Sequence, residues 1–149
     1  MIIRIQNEDF DIAAVNRELR AERTDVGALA SFIGLVRDLE DDPLQHMTLE
    51  HYPGMTEKAL QGIAEKARQR WKIVDLAIIH RVGELRPSDQ IVLVSVLSAH
   101  RGDAFDACEF IMDYLKTDAP FWKKEVSDRG SKWVKSRKSD IFALKKWDN

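Results

Sequence analysis

The sequence predicts an α+β domain with a mainly antiparallel sheet. Segments with strand and helix periodicity alternate along the chain, beginning strand, helix, strand. The apolar run IVLVSVL at 91–97 is rich in β-branched residues and suits a central strand. Residues 74–85 and 90–99 read as two apolar strands joined by Arg86, Pro87, Ser88 and Asp89, a good turn sequence. The 149 residues are most simply one domain, long enough to bury a core.

Taken in order, residues 2–6 alternate enough to form a first strand. Asp9 or Asp11 can then cap a helix through about Glu22, with Ile12, Val15 and Leu19 at helical spacing. Residues 26–36 read as a long, mostly buried strand in which Gly27 and Gly34 mark bends or close backbone approach. Arg37 and an acidic loop over 38–43 follow. Residues 47–52 form another strand. Pro53 and Gly54 turn the chain into a helix ending near Trp71, with Met55, Ala59, Ile63 and Ala67 recurring every four residues. After the paired apolar strands, Asp103 is the expected cap of a helix whose buried stripe is Ala104, Cys108, Ile111, Met112 and Leu115. Pro120 breaks that helix, residues 121–126 and 132–135 extend around an Asp128-Arg129-Gly130 turn, and 136–149 form a basic, loosely attached or helical tail.

Composition narrows the class. There is no apolar run long enough to span a bilayer, and the first residues lack the basic and cleavable features of a signal peptide. A single cysteine excludes an internal disulfide framework and suits a reducing cytoplasm. Cys108 falls on the apolar stripe of its helix, so it reads as a small core residue and not as a sulfur carrier. No phosphate-binding glycine loop, dinucleotide fingerprint or nucleophile elbow is present. Nucleotide cofactors therefore have no visible cradle; His46 and His51 lie on opposite faces of a predicted strand, so metal catalysis is not expected either, and no cofactor is assigned.

Charge is unevenly divided. Residues 1–115 carry 13 Lys+Arg against 20 Asp+Glu, whereas 116–149 carry 10 against 5. An anionic ligand or partner near the C-terminal part follows from that split. Basic residues also stand at the ends of predicted core elements: Arg37, His100, Arg101, Lys116, Lys123 and Lys124. Sites are commonly built at such ends, and an arginine there can grip a phosphate with two hydrogen bonds. The same lysines equally read as complements to a helix dipole and as protection of an edge strand. Arg37 and Arg101 can simply pair with Asp38 and Asp103, and the His80-Arg81 pair is as readily structural as functional. A lysine such as Lys116, buried among other cations and against Phe121 or Trp122, is one able to act as nucleophile or general base.

Read together, several blocks resemble one family. They are GA at 27–28 with FIGLVR at 32–37, LEHYPGM at 49–55, HRVGEL at 80–85, SAHR at 98–101 with AF at 104–105, and MDYLK at 112–116 with APFWKKE at 119–125. In that order and over roughly residues 25–135 they resemble the large, catalytic subunit of molybdopterin synthase. The resemblance implies an α/β hammerhead fold that forms a homodimer within a heterotetramer. It implies conversion of cyclic pyranopterin monophosphate to molybdopterin, with sulfur arriving as the C-terminal Gly-Gly thiocarboxylate of a small ubiquitin-like subunit. Lys116 is the implied catalytic lysine, assisted by Lys123. Arg37, His100, Arg101 and Lys124 are implied substrate contacts, and Phe32 and Met112 shape the pocket. Arg137 is a weaker candidate for reaching a neighbouring subunit's site. Family members often carry a basic residue where this chain has Leu35, which makes Leu35 and Val36 doubtful ligands.

Two other classes fit parts of the sequence. Trp122, Trp133 and Trp147 in the basic segment suit single-stranded nucleic acid, although basic residues at element ends across an otherwise acidic chain argue against it. A scaffold that binds the partner without catalysis is disfavoured by the intact Lys116 and Lys123.

Overall fold

The computed structural model describes residues 1–38, 44–127, 129–134 and 138–148. Most of the acidic loop expected at 38–43, and Arg137, lie outside them. Among the described residues, eight strands divide between two four-stranded sheets. The first contains β1 (Ile2–Gln6), β4 (Asp75–Arg81), β6 (Gln90–Ser98) and β2 (Ala28–Leu35), in that spatial order. The second contains β5 (Gly83–Leu85), β3 (Leu44–His51), β7 (Phe121–Ser127) and β8 (Gly130–Val134). All strand pairs are antiparallel except β1 with β4.

The expected single strand over 74–85 is therefore two strands in different sheets. Val82 donates its amide to Gln6, and Gly83 adopts φ 92°, a left-handed conformation that suits glycine. The chain bends there and leaves the first sheet. The turn at Arg86–Asp89 brings it back and joins β5 to β6 across the two sheets without closing a hairpin, while β4 and β6 pair antiparallel as expected.

The first sheet is covered on both faces. Helix α1 (Ile12–Arg20) buries Val15 and Leu19 against Ala77, Ile79, Leu93 and Leu97. Helices α2 (Met55–Arg70) and α3 (Arg101–Thr117) cover the opposite face, where Leu60, Ile63, Ala107 and Ile111 meet Leu76, Ile78, Val92, Val94 and Val96. The alternation of residues between these two sets is the period of two that a strand imposes. Asp11 caps α1 by accepting from the Ala14 amide. Asp103 does not cap α3. The helix begins three residues earlier, with His100 at the cap position, and Asp103 accepts instead from the Lys72 amide.

The C-terminal segment is docked. Helix α4 (Lys138–Leu144) and a 3-10 turn over Lys145–Trp147 deliver Trp147 into the main core. Its indole donates to Asp113 at 2.7 Å, and Arg70 donates to its carbonyl at 2.8 Å. The Arg70 guanidinium also lies 5.2 Å from the ring centres of both Trp71 and Phe110. Cys108 is buried, and that burial pushes its thiol up to about 11. It is a core residue, inert as a nucleophile at neutral pH.

Two glycines behave as the sequence suggested. A Cβ on Gly27 would sit 2.1 Å from the Ala99 carbonyl oxygen, and one on Gly34 would sit 2.8 Å from Val92 Cγ1. The register of β2 against β6 slips between Gly34 and Leu35. Gly27→Ala should therefore lower unfolding free energy by about 2 kcal/mol or more, because backbone and not a flexible side chain must yield. Gly62→Ala, inside α2 with nothing within 4 Å of the new Cβ, should raise it by about 0.5–1 kcal/mol. Urea unfolding of both variants checks the pair.

Candidate active site

A cavity of about 770 Å³ opens where the end of β2, the last turns of α3 and the 86–89 turn converge. Its size suits a small organic ligand. The β2 bulge turns Leu35, Val36 and Arg37 along one side. Val36 donates to the Asp89 carbonyl and accepts from the Ser88 amide, which fixes the turn as a rim. Met112, Leu115 and Lys116 form the α3 side, while Phe32, Ile91 and Val92 form an apolar floor. Arg37 and Lys116 thus face one space from two unconnected elements.

Lys116 is exposed, not buried as the sequence suggested, and so are Arg37 and Phe32. The pocket is open on its basic side. Exposure weakens every charge interaction there, because water screens it.

β7 packs behind His80, one of the lining residues. Phe121 pairs with His51 across β3, and Lys123 pairs with Leu49, so Phe121 and Lys123 share one face of the second sheet. Phe121 stacks on His80 of β4, with ring centres 3.9 Å apart and planes within 16°. Lys123 lies one strand repeat, about 7 Å, beyond Phe121 on the same face. Lys124 lies on the other. Its ammonium sits 5.8 Å from the ring centre of exposed Trp133, its cross-strand partner. The adjacent lysines expected to act side by side are separated by the strand itself.

His100 and Arg101 are separated more widely. They begin α3, and Lys116 stands in its last turn, so the helix rise places about 22 Å between Arg101 and Lys116. Neither lines the cavity of its own chain. The lining therefore brings together Arg37, Lys116, Phe32 and Met112 from the sequence prediction, with Lys123 on the adjoining strand.

His80 was left undecided by the sequence, yet it lines the cavity. Its Nδ1 lies 2.8 Å from the Arg81 carbonyl oxygen. Burial pulls its pKa down to about 4; the Arg81 carbonyl opposes that shift, and the charges of Lys116 and His51 add to it. Among the described residues, no group of three or more His, Cys, Asp or Glu side chains is placed to hold a metal ion.

Residues 5–118 match the family model described as "MoaE protein". The chain belongs to the molybdopterin synthase catalytic subunit family. The catalytic subunit from Ralstonia nicotianae is 60% identical over 146 residues, covering 97% of this chain and 83% of that protein. Among solved structures, the molybdopterin biosynthesis MoaE protein from Burkholderia ambifaria superposes with a TM-score of 0.86. It is 56% identical, with 99% of this chain and 98% of that one covered. Molybdopterin synthase from Staphylococcus aureus gives 0.83 at 32% identity, covering 88% and 95%. The α+β architecture with two sheets is that of the molybdopterin synthase family.

The unusual state of His80 has a measurable consequence. Its folded pKa lies below that of a free histidine, so the unfolded chain takes up a proton that the native ring refuses. Native stability should fall as pH drops from 6.5 toward 4, by up to about 3 kcal/mol from this group. His80→Phe lacks that contribution, so its unfolding free energy relative to wild type should rise across the same interval. Parallel pH profiles from urea titrations would contradict the assignment.

Proposed function

We propose that this chain is the catalytic subunit of a molybdopterin synthase. It converts cyclic pyranopterin monophosphate to molybdopterin with sulfur from the C-terminal thiocarboxylate of a small ubiquitin-like partner. The observation that carries this reading is the convergence of Arg37 and Lys116 on one open pocket with an apolar floor. A phosphate ester with a flat heterocycle needs both features. Arg37 grips the phosphate with paired hydrogen bonds, and Phe32 and Met112 bracket the ring system. Lys116 stands at the reacting carbon, where it transfers a proton or forms a transient covalent link. Lys123, on the strand beside the pocket, holds the anionic tail of the partner as it enters.

Openness has a role in this scheme. When the tail occupies the mouth it displaces water, and the ammonium groups then act in a lower dielectric on the oxyanion that forms at the thiocarboxylate carbon. Two sulfur transfers complete each product. His100 and Arg101 are too far along α3 to reach the pocket of their own chain, and in a homodimer they serve the pocket of the neighbouring copy. Lys124 faces away and takes no part in this copy's pocket. The reaction runs in the cytoplasm, within a complex of two catalytic and two small subunits.

Lys116→Ala is the direct test. The variant should keep its fold and its affinity for the partner while turnover with thiocarboxylated partner drops by about a hundredfold or more. Wild-type turnover in a purified, folded Lys116→Ala protein would sink the proposal.

A further inference from the structure

His80 is a polar side chain in the pocket wall to which the proposed reaction assigns nothing. The ring is stacked on Phe121 of β7 at 3.9 Å, and its Nδ1 is held 2.8 Å from the Arg81 carbonyl. A carbonyl only accepts, so Nδ1 carries the hydrogen and Nε2 carries the lone pair. Two contacts from two different sheets therefore fix both the plane of the ring and its tautomer.

The surroundings show where an acceptor would be used. Lys116 from α3 and His51 from β3 act electrostatically on His80, and Arg37 and Asp38 line the same cavity. Arg37 and Lys116 supply only donors, Asp38 supplies an acceptor at the end of β2, and His80 supplies one from the β4 wall. An acceptor placed beside them can orient a lysine whose stem has four rotatable bonds.

We propose that His80 is a positioning residue for Lys116, presenting Nε2 as a hydrogen-bond acceptor that holds the Lys116 ammonium toward the centre of the pocket. The role is orientation and not proton relay. A ring that titrates near 4 is too weak a base to take a proton from an ammonium group. Keeping the ring uncharged also avoids adding a third cation to the site. The catalytic part of the inference rests on the reading of Lys116 given above, whereas the contact itself does not.

Two variants separate acceptor from packing. His80→Phe keeps an aromatic ring against Phe121 and removes Nε2, while His80→Gln restores an acceptor near the same position. In thiocarboxylate-driven turnover, His80→Phe should lose kcat by about tenfold or more with KM for the cyclic pterin changed by less than about threefold. His80→Gln should recover most of that loss. A second readout needs no turnover: the Nζ resonance of Lys116 in ¹⁵N-labelled, unliganded full-length protein. It should move in His80→Phe and return toward its wild-type position in His80→Gln. An unchanged Lys116 resonance in folded His80→Phe overturns the contact. A resonance that moves while the wild type makes no dithiolene product would instead defeat the functional reading and leave the contact standing. Equal loss of kcat in both folded variants would show that the ring acts through packing alone.

Discussion

The site depends on how two sheets without a shared strand are held together. The stack of His80 on Phe121 is the point where side chains of β4 and β7 meet face to face. It is supported from below, since Phe121 packs against both the main core and the core of the second sheet. Thr56 adds a polar tie: it accepts from the Tyr52 amide and donates to the Pro120 carbonyl, which links the end of β3 to the start of β7. Loosening that junction would move Lys123 relative to Lys116 without touching either residue. The relative placement of Lys116 and Lys123 is a property of sheet packing as much as of the lysines.

A second constraint is the length of α3. Its 17 residues run the whole depth of the main core, burying seven of them. The helix carries His100 and Arg101 at one end and Lys116 at the other. A rigid helix converts sequence spacing into a fixed separation, so one chain cannot gather all its basic residues into one pocket. In the proposed scheme, assembly is then part of the chemistry. The docked C-terminal segment stiffens the same helix through the Trp147 contact with Asp113.

Much of this was legible in the residues. The cap at Asp11, the close approaches at Gly27 and Gly34, the buried Cys108 and the central strand all follow from local chemistry that needs no partner element. The blocks around Arg37 and Lys116 pointed to the pocket because their residue types match an anion. Other features depend on tertiary facts that spacing does not carry. Val82 and Gly83 look like the continuation of an apolar strand, and only pairing with a different sheet reveals the bend. Lys123 and Lys124 are adjacent in sequence, yet strand periodicity sends them to opposite faces. That signal was available, since the 121–126 segment was read as extended and the alternation could have been applied to it. His80 gave no such signal. Its surroundings are set by Phe121, forty-one positions away, and by the end of α3.

Where the substrate sits is the most direct measure of the whole account. A crystal structure of the full-length protein with cyclic pyranopterin monophosphate should show the phosphate within hydrogen-bonding distance of Arg37. The pterin should lie against Phe32 and Met112, with Lys116 Nζ at the reacting carbons. Ligand density instead on the outer face of the second sheet, stacked on Trp122 or Trp133 beside Lys124, would contradict it.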